Sequence, residues 1–351
     1  MPAATAEVAE RLPLPLGNPA FTPDGRLFVS HHPMFETDAR VSEVVAPGEL
    51  RPFPDLHWND PAASADQRLD AVLGLRSDAE GRLWLLDMGS RSQTPPRFVV
   101  WDTKGGRLDR ILPITPSALS RHSEPNGFVL DARNNAAYIA DEGVGRGGDG
   151  SGAALIVVDL GTGLSRRRLH GTQSTRAEAV PMLVDGREVR KTGKGGSTSP
   201  MHVGCDGIML DHRSEWLHYG PASGGASYRV RVADLLDQGL PDAELAARVE
   251  RYASRPNAGG YAIDAEDNLY MTELGGRAIG VIPAADRTYR RLAEHPGMFW
   301  PDGLTWGPDG MLYVAVSQLP LAAPLNGGTR GDQQPHLLMR MRPMAPGRVA
   351  G

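Results

Sequence analysis

A short apolar stretch, a turn rich in Asp, Gly or Asn, and an aromatic-centred apolar strand recur six times, over residues 20–29, 74–85, 127–139, 207–219, 260–271 and 303–314. The anchors of these units, Phe28, Trp84, Tyr138, His218, Tyr270 and Tyr313, stand 43 to 80 residues apart, with no helical periodicity inside the units. β-Branched and aromatic runs bounded by turn residues read as strands. A unit of this size matches one four-stranded propeller blade. Second apolar runs follow each anchor, at 41–45, 98–101, 155–158, 228–232, 278–282 and 337–341. Arg-rich stretches such as 166–169 and 289–292 suit outer strands, with their arginines expected to face water. The sixth unit ends soon after its second strand, so 7–12 at the chain start is the candidate outer strand that closes the ring and removes a sheet edge. The expectation is an all-β, six-bladed β-propeller forming a single domain over 1–351. The long interval holds an insertion loop at about 172–201, and a short helical excursion at about 233–250 begins with Pro241 at the first helical position.

Composition agrees with many tight turns: 42 Gly and 29 Pro in 351 residues are about a fifth of the chain, against roughly 12% for the pair on average. The charge balance narrows the partners. With 37 Lys+Arg against 42 Asp+Glu there is no basic excess to neutralise phosphates, so nucleic acid is not an expected partner. The lone Cys205 cannot form an internal disulfide, which favours a reducing compartment. No apolar run approaches the roughly 20 residues of a membrane span, and Glu7 and Glu10 interrupt the first residues, so a soluble, cytoplasmic protein without a membrane partner is expected. Oligomeric state is left open.

Several stretches resemble the major royal jelly protein and Yellow family: Leu83-Trp84-Leu85-Leu86-Asp87 with Phe98-Val99-Val100-Trp101-Asp102, Ala137-Tyr138-Ile139-Ala140-Asp141, Tyr228-Arg229-Val230, Trp300-Pro301-Asp302, Leu312-Tyr313-Val314-Ala315 and Ser317-Gln318. The likeness spans nearly the whole chain. It implies a six-bladed propeller related to gluconolactonase, regucalcin and strictosidine synthase, with family functions that range from dopachrome conversion to ligand binding. Lacking a signal peptide and cysteine pairs, the chain looks like a bacterial, intracellular branch.

In such a ring the residues just before each innermost strand line one mouth of the central channel. Here they are Gly17 with Asn18, Leu73, Asn126, Asp206, Gly259 and Asp302. Asn126, Asp206 and Asp302 offer oxygen to a hard divalent cation such as Ca²⁺. Equally, Asp206 and Asp302 can act as acid and base, since carboxylates sharing a low-dielectric site push their pKa values apart. The plainer possibility is that each bonds its own turn backbone. The resemblance implies a metal set that includes a blade-one Glu, which Asn18 or Gly17 replaces here. A second set of candidates follows the anchors: His31, Asp87, Asp141, Glu142 and Glu273. His31 is expected to move protons, with His32 on the opposite face of the strand. Asn18, His202, Glu273 and Trp300 are the expected substrate contacts.

The run Gly143-Val144-Gly145-Arg146-Gly147-Gly148 fits G-x-G-x-x-G but leads into a strand, so it reads as a hairpin loop, and no nucleotide cofactor is expected. Motifs of nucleophile-elbow hydrolases and zincins are missing from the sequence. The favoured function is a small-molecule enzyme at the channel mouth, a lactonase-like hydrolase of gluconolactonase type acting on a metabolite. One alternative is a metal-independent tautomerase, decarboxylase or cyclase; another is a non-catalytic ligand-binding propeller.

Overall fold

The turn between the first two strands of every blade shows why the repeat has its signature. One residue there, three or four before the aromatic anchor, is left-handed in all six blades: Gly25 (φ 86°), Gly81 (86°), Asn135 (49°), Ser214 (53°), Asp267 (60°) and Gly310 (74°). Gly, Asn and Asp enter this region most readily, which explains five of the six choices. An aspartate opens the turn and caps it. Asp78 Oδ1 accepts the backbone N–H of Glu80 and Arg82, Asp131 those of Arg133 and Asn134, and Asp264 those of Glu266 and Asn268. The second carboxylate oxygen then receives the anchor: Trp84 Nε1–H at 2.8 Å, Tyr138 O–H at 2.9 Å and Tyr270 O–H at 2.6 Å. The aspartate and the aromatic residue are therefore one device that locks strand to turn.

The computed structural model describes residues 4–91 and 94–349. Its six four-stranded antiparallel units run, from axis to rim, Pro19–Phe21, Leu27–Ser30, Val41–Ala46 and Glu49–Pro52 in blade one, and Val72–Ser77, Arg82–Asp87, Arg97–Asp102 and Arg107–Pro113 in blade two. Blade three is Pro125–Asp131, Ala136–Asp141, Ala154–Asp159 and Ser165–Arg168; blade four is Cys205–Leu210, Trp216–Pro221, Ala226–Arg231 and Glu250–Ser254. Blade five is Ala258–Ile263, Leu269–Glu273, Ala278–Ile282 and Arg290–Glu294, and blade six is Pro301–Trp306, Leu312–Val316 and His336–Met341. Glu7–Leu12 completes blade six, antiparallel to His336–Met341, as the sequence leads one to expect. Ala4–Thr5 adds a parallel strand to the rim of blade five, so the chain start ties two blades together.

Apolar faces meet between blades. Val129, Tyr138 and Leu155 pack with Ile208, Leu217 and Tyr219, and edge-to-face aromatic contacts join Phe98 to Phe128 (4.8 Å) and Tyr270 to Trp306 (5.6 Å). Residues 172–201 carry two hairpins, Leu183–Val184 with Arg187–Glu188 and Arg190–Thr192 with Thr198–Pro200. The excursion holds helices Val232–Leu236 and Asp242–Ala247, with Pro241 as the N-cap rather than the first helical residue. The rim arginines of blade three correct their expected exposure. Arg167 donates to Asp141 at 2.5 Å, while Arg168 is buried and donates to the Leu240 carbonyl at 2.8 Å.

Candidate active site at the channel mouth

The mouth is built from two rings of side chains. The first comes from the start of the inner strands, where blades two to six each have a register shift: between Val72 and Leu75, Pro125 and Phe128, Cys205 and Gly207, Ala258 and Tyr261, and Pro301 and Leu304. A bulge re-aims the residue it contains. Here the bulges contain Leu73, Asn126, Asp206, Gly259 and Asp302, each followed by a glycine. These glycines make the ring tight. A methyl group on Gly74 would lie 2.5 Å from the Asn126 carbonyl oxygen of the next blade, one on Gly207 2.5 Å from the Gly259 carbonyl oxygen, and one on Gly260 2.6 Å from that of Asp302. Backbone meets backbone around the axis, and the preceding side chain is left at the opening.

The second ring stands four residues after each anchor: His32, Met88, Glu142, Ala222, Leu274 and Ser317. The first five line a cavity of about 140 Å³ together with Leu73, Asn126, Asp206, Asp302, Glu124 and Trp300. Ser317 instead hydrogen-bonds Asp302. Carboxyl groups gather on blades three, four and six, while Leu73, Met88 and Leu274 make the sides from blades two and five apolar. Trp300 holds a left-handed backbone (φ 59°), strained for so bulky a residue, and its carbonyl is fixed by the Ser317 N–H at 3.1 Å.

Desolvation governs the electrostatics. Burial, and then the charge of Asp302, pushes Asp206 up to about 8. Burial pushes Asp302 up to about 7, held back by the Ser317 hydroxyl. Glu142 is raised well above the ordinary carboxylate range by burial and by Asp206 and Glu124, although Asn126 donates its amide N–H to it. Burial also raises Glu124, against the pull of Lys191. Among the described residues no lysine or arginine lines the cavity. His32, brought down to about 3 by burial and by Arg91, stays neutral. Its Nδ1 accepts the Met34 N–H at 3.2 Å, which leaves Nε2–H as the donor of the ring.

The profile of the major royal jelly protein family matches residues 71–320, most of the chain. The chain belongs to the major royal jelly protein family. No curated protein matches it. Among solved structures, this royal jelly family member is similar to a gluconolactonase from Xanthomonas campestris (14% identity, 98% of both chains covered, TM-score 0.56). It is likewise similar to the calcium-binding protein regucalcin from Agrobacterium tumefaciens (11% identity, 99% of both chains, TM-score 0.56). A luciferin-regenerating enzyme shares 11% identity over 99% of this chain and 98% of its own, with TM-score 0.61. At such identities the likeness shows a shared six-bladed fold.

In this royal jelly family chain, Asn126, Asp206, Asp302 and Trp300 converge on one cavity. Glu142 lines it too, whereas six other candidates, His31, Glu273, Asn18, His202, Asp87 and Asp141, do not. His31 is fully buried, with Nδ1 2.8 Å from the Pro15 carbonyl and Nε2 2.8 Å from Ser42 Oγ; burial brings its pKa down to about 4. Glu273 accepts Tyr289 O–H at 2.7 Å and Arg291 Nη2–H at 2.6 Å, facing its own blade. Asn18 packs Oδ1 against Gly303, where a methyl group would collide at 1.7 Å. His202 is half-buried beside the lining residue Val203.

The error over the histidines has one cause. Side chains alternate along a strand, so an offset of one residue exchanges the two faces. Positions three after the anchor face away: Asp87 and Asp141 accept loop N–H groups from Ala71 (2.9 Å) and Glu124 (2.7 Å) and so pin the mouth. Positions four after it face the cavity, which brings in His32. Glu124, a lining residue outside the sequence candidates, stands two before Asn126, the same spacing that separates Trp300 from Asp302.

Proposed function

We propose that the mouth is the active site of a hydrolase acting on a small cyclic ester, with Asp302 as general base and Asp206 as general acid. The supporting observation is a pair of desolvated carboxyls facing one cavity that has no cationic lining residue among the described residues, with pKa values pushed up to about 7 and about 8. Groups poised near the working pH make effective proton-transfer catalysts. Ionised Asp302 takes a proton from water as the water oxygen bonds to the ester carbonyl carbon. The oxyanion is received by neutral donors, the His32 Nε2–H and the Asp206 hydroxyl. Collapse breaks the ring C–O bond, and Asp206 gives its proton to the departing alkoxide. A hydroxy acid results, and the proton on Asp302 returns to Asp206 through solvent.

Asn126, Asp206, Asp302 and Glu142 also form a donor set of the kind a hard divalent cation takes. The Asn126 amide nitrogen is committed to Glu142, so oxygen is what it has left to offer. Among the described residues no three His, Cys, Asp or Glu side chains stand close enough to enclose an ion, so holding one requires the carboxylates to draw inward. When bound, such a cation polarises a carbonyl and offsets carboxylate repulsion. The apolar wall of Met34, Met88, Met182, Leu274 and Trp300 favours a second use of the same acid and base, proton transfer on a cyclic or aromatic metabolite without hydrolysis.

Turnover of glucono-δ-lactone and a series of γ- and δ-lactones, followed by acid release with and without chelator, tests the proposal. The expected result is a bell-shaped profile centred between pH 7 and 8, whose apparent pKa values belong to the pair. Activity that survives chelation assigns the chemistry to the carboxyls, and activity restored by Ca²⁺ assigns it to a held ion. Undiminished turnover in both Asp206→Asn and Asp302→Asn overturns the proposal.

A further inference from the structure

Beside the axial cavity lies a larger groove of about 440 Å³ between the mouth-side loops of blades two and three. The two adjoin, and Met88, Ser90 and Glu124 line both. Its floor is apolar: Pro95, Pro96, Ile114, Pro116 and Leu119. Its rim carries two exposed guanidinium groups, Arg121 on the loop entering blade three and Arg146 on the 3₁₀ turn Gly145–Gly147. Neither forms an ion pair among the described residues, although neighbours such as Arg167 are fully engaged. Arg146 is held in a left-handed conformation (φ 51°), and the turn is anchored by the His122 Nδ1 contact with the Gly145 carbonyl at 3.1 Å.

Two guanidinium groups on an apolar trough that adjoins a cavity lined by acids are a pattern of complementary charge. A molecule that fits both spaces has an uncharged ring for the cavity, a hydrocarbon chain for the trough and an anion at the end of the chain. We propose that the groove between blades two and three is the tail subsite of this active site, binding an alkyl or acyl chain whose terminal carboxylate pairs with Arg121 and Arg146. The proposal rests on the reading of the mouth as a small-molecule site. It adds what that reading lacks, a substrate class: amphiphilic ring compounds with a carboxylate tail. The guanidinium fork matches a carboxylate in two parallel hydrogen bonds, whereas a neutral amide of the same shape loses the charge assistance. Glu124 at the junction, raised by burial, adds little repulsion to the passing chain.

The test compares 6-phenylhexanoate with 6-phenylhexanamide by titration calorimetry, a readout that needs no turnover. The acid should bind about tenfold more tightly than the amide, and the preference should shrink as salt rises from about 0.05 to 0.5 M. Arg121→Gln with Arg146→Gln should abolish the preference while leaving amide binding and melting temperature unchanged. Asp206→Asn should leave the preference intact. Equal affinities for the two probes, or a preference that survives the double substitution, overturns the subsite. A clear preference in a protein that opens no lactone upholds the subsite and removes only the hydrolase assignment.

Discussion

The two ends of the axial channel are made by the same six inner strands yet carry opposite chemistry. At the mouth, Asp206, Asp302 and Glu142 face a cavity with no cation lining it among the described residues. A few residues further along the strands, Arg76 crosses the channel. Its Nε–H donates to the Phe128 carbonyl at 3.1 Å and its Nη1–H to the Leu304 carbonyl at 3.2 Å, joining blades two, three and six. The space around it, bounded by Ala20, Met209, Ala262, Trp306 and Arg348 among others, is only about 10 Å³, room for one water at most. Burial draws the guanidinium down to about 10, so it stays charged at neutral pH. At the far end the charge is satisfied by backbone dipoles and serves as a structural tie. At the mouth the Ser317 hydroxyl and the Asn126 amide moderate the carboxyls only in part, so burial still raises them.

The largest expected effect breaks the mouth. Asp302→Asn keeps the size of the side chain but cannot take a proton, and Asp206→Asn cannot give one. Each should lower kcat/KM for the best lactone substrate by about 10²- to 10⁴-fold, the range for a positioned acid or base. Both variants should keep the wild-type circular dichroism. A loss confined to KM would mean that the carboxyls only bind.

Next in size is the far end. Arg76→Met fills similar space but leaves the Phe128 and Leu304 carbonyls without their donor. Unfolding free energy should fall by about 1–3 kcal/mol, as for lost hydrogen bonds to a charged group. Turnover should stay within about twofold, since Arg76 does not line the mouth cavity. An Arg76→Met protein with normal stability and lost activity would reverse the contrast between the two ends.

How far the sequence discloses this arrangement depends on which interactions are local. The Asp131–Tyr138 and Asp264–Tyr270 pairs lie within one hairpin, so the repeat they create can be read directly, and with it the blades and the closing strand. The bulged dipeptides Asn126-Gly127, Asp206-Gly207 and Asp302-Gly303 are also local, and the first ring was legible through them. Of the second ring only Glu142 is legible, because assignment there rests on strand register. Whether the fourth or the third residue past the anchor faces the axis is decided by pairing such as Pro125 with Asp141, which no single segment reveals. Non-local contacts stayed hidden altogether. Arg76 reaching Leu304, and Arg167 turning inward to Asp141, look like ordinary polar positions in sequence.

The smallest effect sharpens the comparison through its sign. Asp206 titrates near 4 when unfolded and at about 8 when folded, so between those values the folded state holds the extra proton. Stability therefore falls as pH rises from about 4 to about 8 and levels off beyond, because the unfolded state binds fewer protons in that window. Asp206→Asn removes this pH-dependent penalty, whereas the expense of burying an amide is the same at every pH, so the variant should gain stability relative to the parent steadily as pH rises from about 4 to about 8. Arg76→Met should show no such window, since its guanidinium remains protonated in both states throughout. Urea unfolding of the two variants at pH 4, 6 and 8 separates them. If the difference between Asp206→Asn and the parent were the same at pH 4 and pH 8, the carboxyl would already be balanced by a partner, and the mouth would be as satisfied as the far end.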